Sequence, residues 1–362
     1  MKRRLVILLL LAATAGVSAQ PDNKPELSGY VSDMASLIAL QPAGEWMWEN
    51  LLHNRLNAGW QFAPSWRVDA GLRNRLIAGN RGDKNLELRV AVDRLFVTFE
   101  KEKWKLQAGR QRINWGQTLV WNPNDIFNTY SFFDFDYVER PGCDAFRATY
   151  YHSPTASTEL AASLDASHRR LTAALLHHWN HRNFDYQLMA GLYAESDLVV
   201  GGAWSGDFSG LNFRGELSFF QPLGHSRTAS SRTIAASVGA DYIFPSSLAL
   251  QAEALYNNVG NAFSSNGLMG LYAAPLSAKY LSICDWNLFA QASYPLTPRL
   301  NSSVSTMYFV EIKSWYAGLS LDYFLIENLD LSFIVQYFSA PQTPAFADMQ
   351  ITLLFARLKY SF

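Results

Sequence analysis

Beyond residue 20 the chain has no run approaching the roughly 18 consecutive apolar residues of a bilayer-spanning helix, so a helical membrane protein is excluded. Charge is sparse: 17% Asp, Glu, Lys and Arg, a formal net charge of −1, and no polybasic block that would suit nucleic acid. Cysteine is nearly absent, with Cys143 and Cys284 the two thiols. Both fall near the expected outer ends of strands and could bridge in an oxidising compartment, although a chain of this size does not depend on a staple. No Gly-rich phosphate loop, Cys-based zinc spacing or calcium-binding run occurs. Ser and His stand in no nucleophile elbow or triad-like spacing, so no catalytic residues are assigned and no enzyme is expected. The cluster His177, His178 and His181 comes nearest to a metal set, but on a strand His177 and His181 share a face with Trp179 while His178 points away. Its place beside a turn marks it as interfacial, and neither metal nor cofactor is expected.

What the chain does have is aromatic side chains, 23 Phe, 17 Tyr and 11 Trp, in a sequence whose mean hydropathy is near zero. Aromatic belts around a polar interior reconcile the two facts. Lys2, Arg3 and Arg4, the apolar run Leu5 to Ala13 and the small residues Val17-Ser18-Ala19 read as an export signal over 1–19. No Cys stands at the cleavage point, so a lipoprotein anchor is not expected. At the other end Leu354, Ala356, Leu358, Tyr360 and Phe362 alternate with polar Arg357, Lys359 and Ser361 up to the last residue. Terminal residues usually fray, whereas a closed barrel needs its last strand intact to meet its first. The ending also resembles the C-terminal assembly signal of bacterial outer-membrane proteins, which implies the barrel-assembly machinery as a partner through Phe362.

The remaining chain, 20–362, reads as one transmembrane antiparallel up-and-down β-barrel, all-β. Short turns fall at 63–65, 102–103, 153–155, 181–183, 207–210, 245–247, 295–298 and 327–328, where Gly, Pro, Asn and Ser provide turn dihedrals. Longer connections run over 116–143, 221–231, 257–280 and 339–349. This asymmetry is that of a barrel with periplasmic termini. Eighteen strands are expected, or sixteen if the short hairpins around 160–215 do not form. The first lies near 27–38 and the last near 350–362. Trp60, Trp66, Trp104, Tyr242, Phe244, Tyr294, Phe324 and Phe362 sit where strands meet turns, the level of an interfacial belt. No folded plug is expected ahead of the first strand.

The third strand puts Trp66, Val68, Ala70, Leu72 and Leu76 on one face, and Arg67, Asp69, Gly71, Arg73 and Arg75 on the other. Strand two adds Arg55 and Asn57. These arginines are candidates for the lumen face, either as an acid-balanced hydrated wall or as a basic ladder that selects solutes.

Residues 109–116, Gly-Arg-Gln-Arg-Ile-Asn-Trp-Gly, precede Asn122-Pro123-Asn124-Asp125 and then Glu139-Arg140-Pro141-Gly142. Strict alternation from Trp104 would aim Arg110 and Arg112 at lipid, at about 2–4 kcal/mol for a midplane arginine. A bulge at Gly109 would turn both inward. The following connection holds Trp121, Phe127, Tyr130 and Phe132 together with Asp125, Asp134, Asp136 and Glu139. It is too apolar to stand in water. The expectation is that 116–142 folds into the lumen, its acids meeting Arg110, Arg112 and the wall arginines, with Arg140 in the same constriction. The alternative is an outer loop packed on a neighbouring loop or subunit.

This pattern, G-R-Q, W-G, N-P-x-D and R-P-G, resembles a family of outer-membrane porin-like proteins loosely akin to alginate-export-type barrels. It is carried by Gly109, Arg110, Gln111, Trp115, Gly116, Asn122, Pro123, Asp125, Arg140, Pro141 and Gly142, about a tenth of the chain. The resemblance implies an outer-membrane barrel that transports, without naming a substrate. The function expected is a channel for passive diffusion of small hydrophilic solutes, with outer-membrane lipid as its surroundings, a homo-oligomer open and nucleic acid excluded. The competing expectation is a non-conducting barrel that serves as an adhesin or scaffold, its 257–280 loop meeting a partner.

Overall fold

The structure, a computed structural model, describes residues 24–41, 43–80, 85–128, 142–165, 170–224, 232–258, 277–340 and 349–362. Period-2 alternation becomes eighteen strands. The first five are β1 (Glu26–Gln41), β2 (Glu45–Ala63), β3 (Trp66–Gly79), β4 (Leu86–Lys101) and β5 (Trp104–Gln111). The next six are β6 (Cys143–Ser153), β7 (Ala156–Leu164), β8 (Leu171–His181), β9 (Phe184–Tyr193), β10 (Asp197–Phe208) and β11 (Leu211–Pro222). The last seven are β12 (Thr233–Ile243), β13 (Ala249–Asn257), β14 (Trp286–Thr297), β15 (Leu300–Phe309), β16 (Ser314–Ile326), β17 (Leu329–Ala340) and β18 (Met349–Ser361). Each pairs antiparallel with its neighbours in sequence, and β1 pairs with both β2 and β18. The sheet therefore closes into a barrel, the one sheet form without an edge.

Closure runs from Tyr30 opposite Ser361 to Gln41 opposite Gln350. The final residue completes it: Phe362 and Gly29 exchange both backbone bonds at 2.9 Å, and the Lys359 ammonium lies 4.6 Å from the Tyr30 ring. All eight short turns of the sequence pattern lie between paired strands on one side of the barrel.

The outward face carries exposed apolar side chains such as Leu88, Val90, Leu160, Leu188, Val200, Val304 and Phe333. Such a band fits hydrocarbon and not water. Near the short turns an aromatic row runs from Trp104 to Tyr150 and His152, then His177, Trp179 and Tyr186, with ring centroids 4.9–5.6 Å apart. His177 thus belongs to the belt, while His178 faces Asp185 at 3.5 Å. No metal-binding group of three or more such side chains occurs among the described residues.

Strand lengths are uneven. β1 to β4 have 14–19 residues, β5 to β9 only 8–11. The interior also differs on the two sides, and this difference builds the site.

Candidate functional site

After β5 the chain turns into the barrel and runs along its inner wall as far as Asn128. Inward-facing residues of the wall are identified by alternation: on β11 Leu217 and Phe219 are exposed outside, so Glu216, Ser218 and Phe220 point in, and all three are buried. Three such wall carboxylates grip the inner segment in order.

Glu159 of β7 accepts the Trp115 indole N–H at 2.7 Å, the Thr149 hydroxyl at 3.2 Å and the Arg147 guanidinium. Glu216 accepts backbone N–H groups of Gln117, Thr118 (2.6 Å) and Asn124 (2.9 Å), with the Thr118 hydroxyl at 2.8 Å. Glu253 of β13 accepts the N–H groups of Leu119 (3.0 Å), Val120 (3.1 Å) and Trp121 (2.8 Å), and the Ser237 hydroxyl at 2.9 Å. Without these acceptors, a segment with no ladder of its own would leave its buried N–H groups unpaired.

Further contacts hold the same stretch. Ser218 donates to the Pro123 carbonyl at 2.9 Å, and the Asn124 amide reaches the Gly202 carbonyl at 3.0 Å. Ile113, Trp115 and Ile126 pack with Leu176, Met189, Val199 and Phe220. Val120 and Trp121 join Leu255, Phe289, Met307, Phe309 and Phe338. A second inner stretch, 277–285, meets the first: Ala278 lies in one apolar cluster, and Leu281, Ile283 and Cys284 in the other. Lys279 fastens it through a buried 2.8 Å ion pair to Asp197, and its carbonyl takes the Asn257 amide at 2.9 Å. Cys143 and Cys284 are both free thiols.

The motif residues now have physical roles. Gly116 lies so close to Asn122 that a Cβ would fall 2.0 Å from its Oδ1. Gly109, at φ +121°, presses on the Leu95 carbonyl, where a Cβ would come within 2.3 Å. Asp125 is buried and caps the segment's end, accepting from the Asn128 N–H at 3.2 Å.

The opposite side of the lumen, β2 to β4, carries the arginines. Arg55 is 1% exposed and donates to Asp93 at 2.8 Å and to Asn57 at 2.8 Å. Arg73 stands beside it and reaches the same carboxylate at 3.4 Å. Arg75 lies next along β3, opposite His53 and Arg89. Arg67 pairs with Asp69 (2.9 Å) and Glu26 (3.0 Å) near the short turns. Arg112 is half-buried at the start of the inner segment.

One expectation is corrected. The inserted residue is Asp93, not a residue at Gly109: β3 pairs Gly71 with Arg94 and then Leu72 with Val92, while β4 and β5 stay in register through Gly109. Asp93 is thereby turned to Arg55 and Arg73. Arg110 keeps the outward register, opposite Leu95 and Asp144. It grips Asp144 with two bonds of 2.7 and 2.6 Å at the top of a short strand, beside a cleft of about 490 Å³ that also takes in Phe127, Asn128 and Tyr193. The described part of the inner segment is also anchored through its N–H groups to wall acids, an arrangement the sequence pattern did not announce. Asp134, Asp136, Glu139 and Arg140, the export signal and most of 257–280 lie outside the described residues.

Glu159, Glu216 and Glu253 escape a motif search, yet each leaves a trace: a lone acid in mid-strand among small or apolar neighbours, as in Gln-Ala-Glu-Ala-Leu around Glu253.

Neither a family profile nor a curated protein sequence matches this chain. Solved structures do. Pseudomonas aeruginosa OprD superposes with a TM-score of 0.62 at 11% identity, covering 96% of this chain and 99% of that one. For Pseudomonas aeruginosa OpdQ the values are 0.62 and 9%, with 94% and 100% covered. For Acinetobacter baumannii OccAB1 they are 0.60 and 12%, with 93% and 97% covered. The chain has the fold of these outer-membrane barrels over nearly its whole described length.

Proposed function

We propose that the chain is a bacterial outer-membrane channel for passive diffusion of small hydrophilic solutes, its lumen narrowed by the inner segment that begins after β5. The observation that carries this reading is the asymmetry of the interior. Stretches 112–128 and 277–285 fill the side lined by β7 to β15, and the arginines of β2 to β4 line the other. Solutes would pass along that arginine wall, and small anions would be preferred, because fixed positive charge in a narrow, poorly screened passage raises the local concentration of counter-ions. Likeness in fold to porin barrels supports a channel over an enzyme. The residues proposed for the path are Arg67, Arg73, Arg75 and Arg112, with buried Arg55 holding Asp93 in the same wall and Asp125 holding the end of the segment.

A second reading, a non-conducting scaffold, draws on the two apolar clusters that pack inner segments against the wall. Planar-bilayer recording of the refolded chain separates the two. Ohmic steps with a reversal potential on the anion side, moved toward cations by R73Q/R75Q, are expected. A heat-modifiable barrel that passes no current would favour the scaffold.

A further inference from the structure

Glu216 and Glu253 are buried acids that meet no Lys or Arg among the described residues. Their charge is met instead by six backbone N–H groups, those of residues 117–121 and 124. An ionised carboxylate offers about four acceptor sites and no donor. With the Ser237 hydroxyl on Glu253, seven donors meet the two acids, close to the number that two ionised carboxylates accept. Arg214, two residues before Glu216 on β11, is paired with Asp241 of β12.

From this geometry we infer that Glu216 and Glu253 are positioning residues of the constriction, holding 117–124 at a fixed depth in the lumen through a contact that only an ionised carboxylate can make. The inference rests on the channel reading above, and adds to it the residues that set the bore. Three consequences follow from the contact itself. The latch reads main chain and not side chain, so the segment is fixed whatever its lumen-facing residues are. Glutamine, although isosteric, fails, because its amide N–H₂ would face N–H donors at 2.6–3.1 Å and replace charge-assisted bonds by repulsion. And the two negative charges, spent on N–H groups, add little to the field seen by a passing ion.

The test compares the full refolded chain with E216Q, E253Q, E216Q/E253Q and E216D, by single-channel recording and by trypsin cleavage after Arg112 located by mass spectrometry. The glutamine variants are expected to give a severalfold larger or flickering current at an unchanged reversal potential, and rapid cleavage after Arg112. E216D, shorter but still a carboxylate, is expected to stay closer to wild type than E216Q. Wild-type current and protease resistance in every glutamine variant would overturn the latch and leave the channel reading standing. A silent wild type with current or cleavage in the variants would support the latch and overturn the open channel. Silence and resistance throughout would overturn both, and a reversal potential moved by E216Q would show that the acid faces the passage.

Discussion

The two sides of this barrel dispose of their charges in different ways. On β2 to β4 the partners are side chains: Arg55 and Arg73 converge on Asp93, and Arg67 on Asp69 and Glu26. Asp93 is shared between two arginines, while Arg67 is met by two acids. On β11 and β13 the acids Glu216 and Glu253 take most of their donors from the inner segment, mainly backbone N–H groups, while Glu159 of β7 takes the Trp115 indole beside Thr149 and Arg147 of the wall. On the function proposed above, one side lines the passage and the other fastens what narrows it. A charge inside a barrel is therefore not read from its sign alone. What matters is whether its partner is another wall residue, a mobile ion or a folded-in main chain.

The comparison can be broken most severely at Asp93. Removing it by Asp93→Ala takes the 2.8 Å carboxylate partner away from the Arg55 guanidinium, which is 1% exposed. Breaking a buried pair from one side costs about 3–5 kcal/mol. The expected result is a matching loss in the denaturant midpoint of the barrel refolded in lipid vesicles. A cost below about 1 kcal/mol, as for an exposed pair, would mean that the β2–β4 wall is hydrated at this depth and that its charges are balanced by water and ions.

On the other side a smaller effect is expected from Gly116→Ala. The new Cβ would meet Asn122 at 2.0 Å, with the Asn122 Cγ and Cβ also within 2.7 Å, so the whole side chain must leave its place. Overpacking of this kind costs about 1–3 kcal/mol. Because the strain falls on the inner segment and not on a strand, the global midpoint should stay near wild type while trypsin gains access after Arg112. A fall in the global midpoint with no new cleavage would show that segment and barrel unfold as one unit.

The barrel itself was largely legible. Period-2 alternation and turn residues carry strand number, turn positions and closure, because a strand with one apolar and one wet face has few other ways to be buried. The wall arginines on β2 and β3 follow from the same parity. The bulge was also written in the chain, as the shift from Leu88, Val90 and Val92 to Leu95, Val97 and Phe99. Two polar residues there separate apolar positions that alternation would space by one. Gly109 drew attention instead because glycine tolerates many conformations, but its φ of +121° serves close packing on the Leu95 carbonyl, without a change of register. The latch was the least legible. Main-chain N–H groups are the same in every sequence, so nothing in 117–124 announces which acids it will meet. Only the isolated mid-strand Glu residues hint at it.

The smallest effect expected is a chemical one, and it sharpens the filled side of the comparison. Cys284 lies on the second inner stretch among Leu281, Ile283, Phe309 and Ile312, and burial pushes its thiol up to about 12. Only the thiolate is nucleophilic, so at pH 8 about one thiol in ten thousand would be reactive on that ground alone, before steric exclusion. Iodoacetamide applied to the folded barrel should therefore leave the Cys284 peptide unmodified over hours, and label it within minutes once the chain is denatured. Raising the pH to 9 should speed labelling of the folded barrel by no more than about tenfold, since the thiol stays largely protonated there. Rapid labelling of the native barrel would mean that 281–285 leaves the wall often enough to be attacked, and that the side held by carboxylates is no more filled than the side lined by arginines.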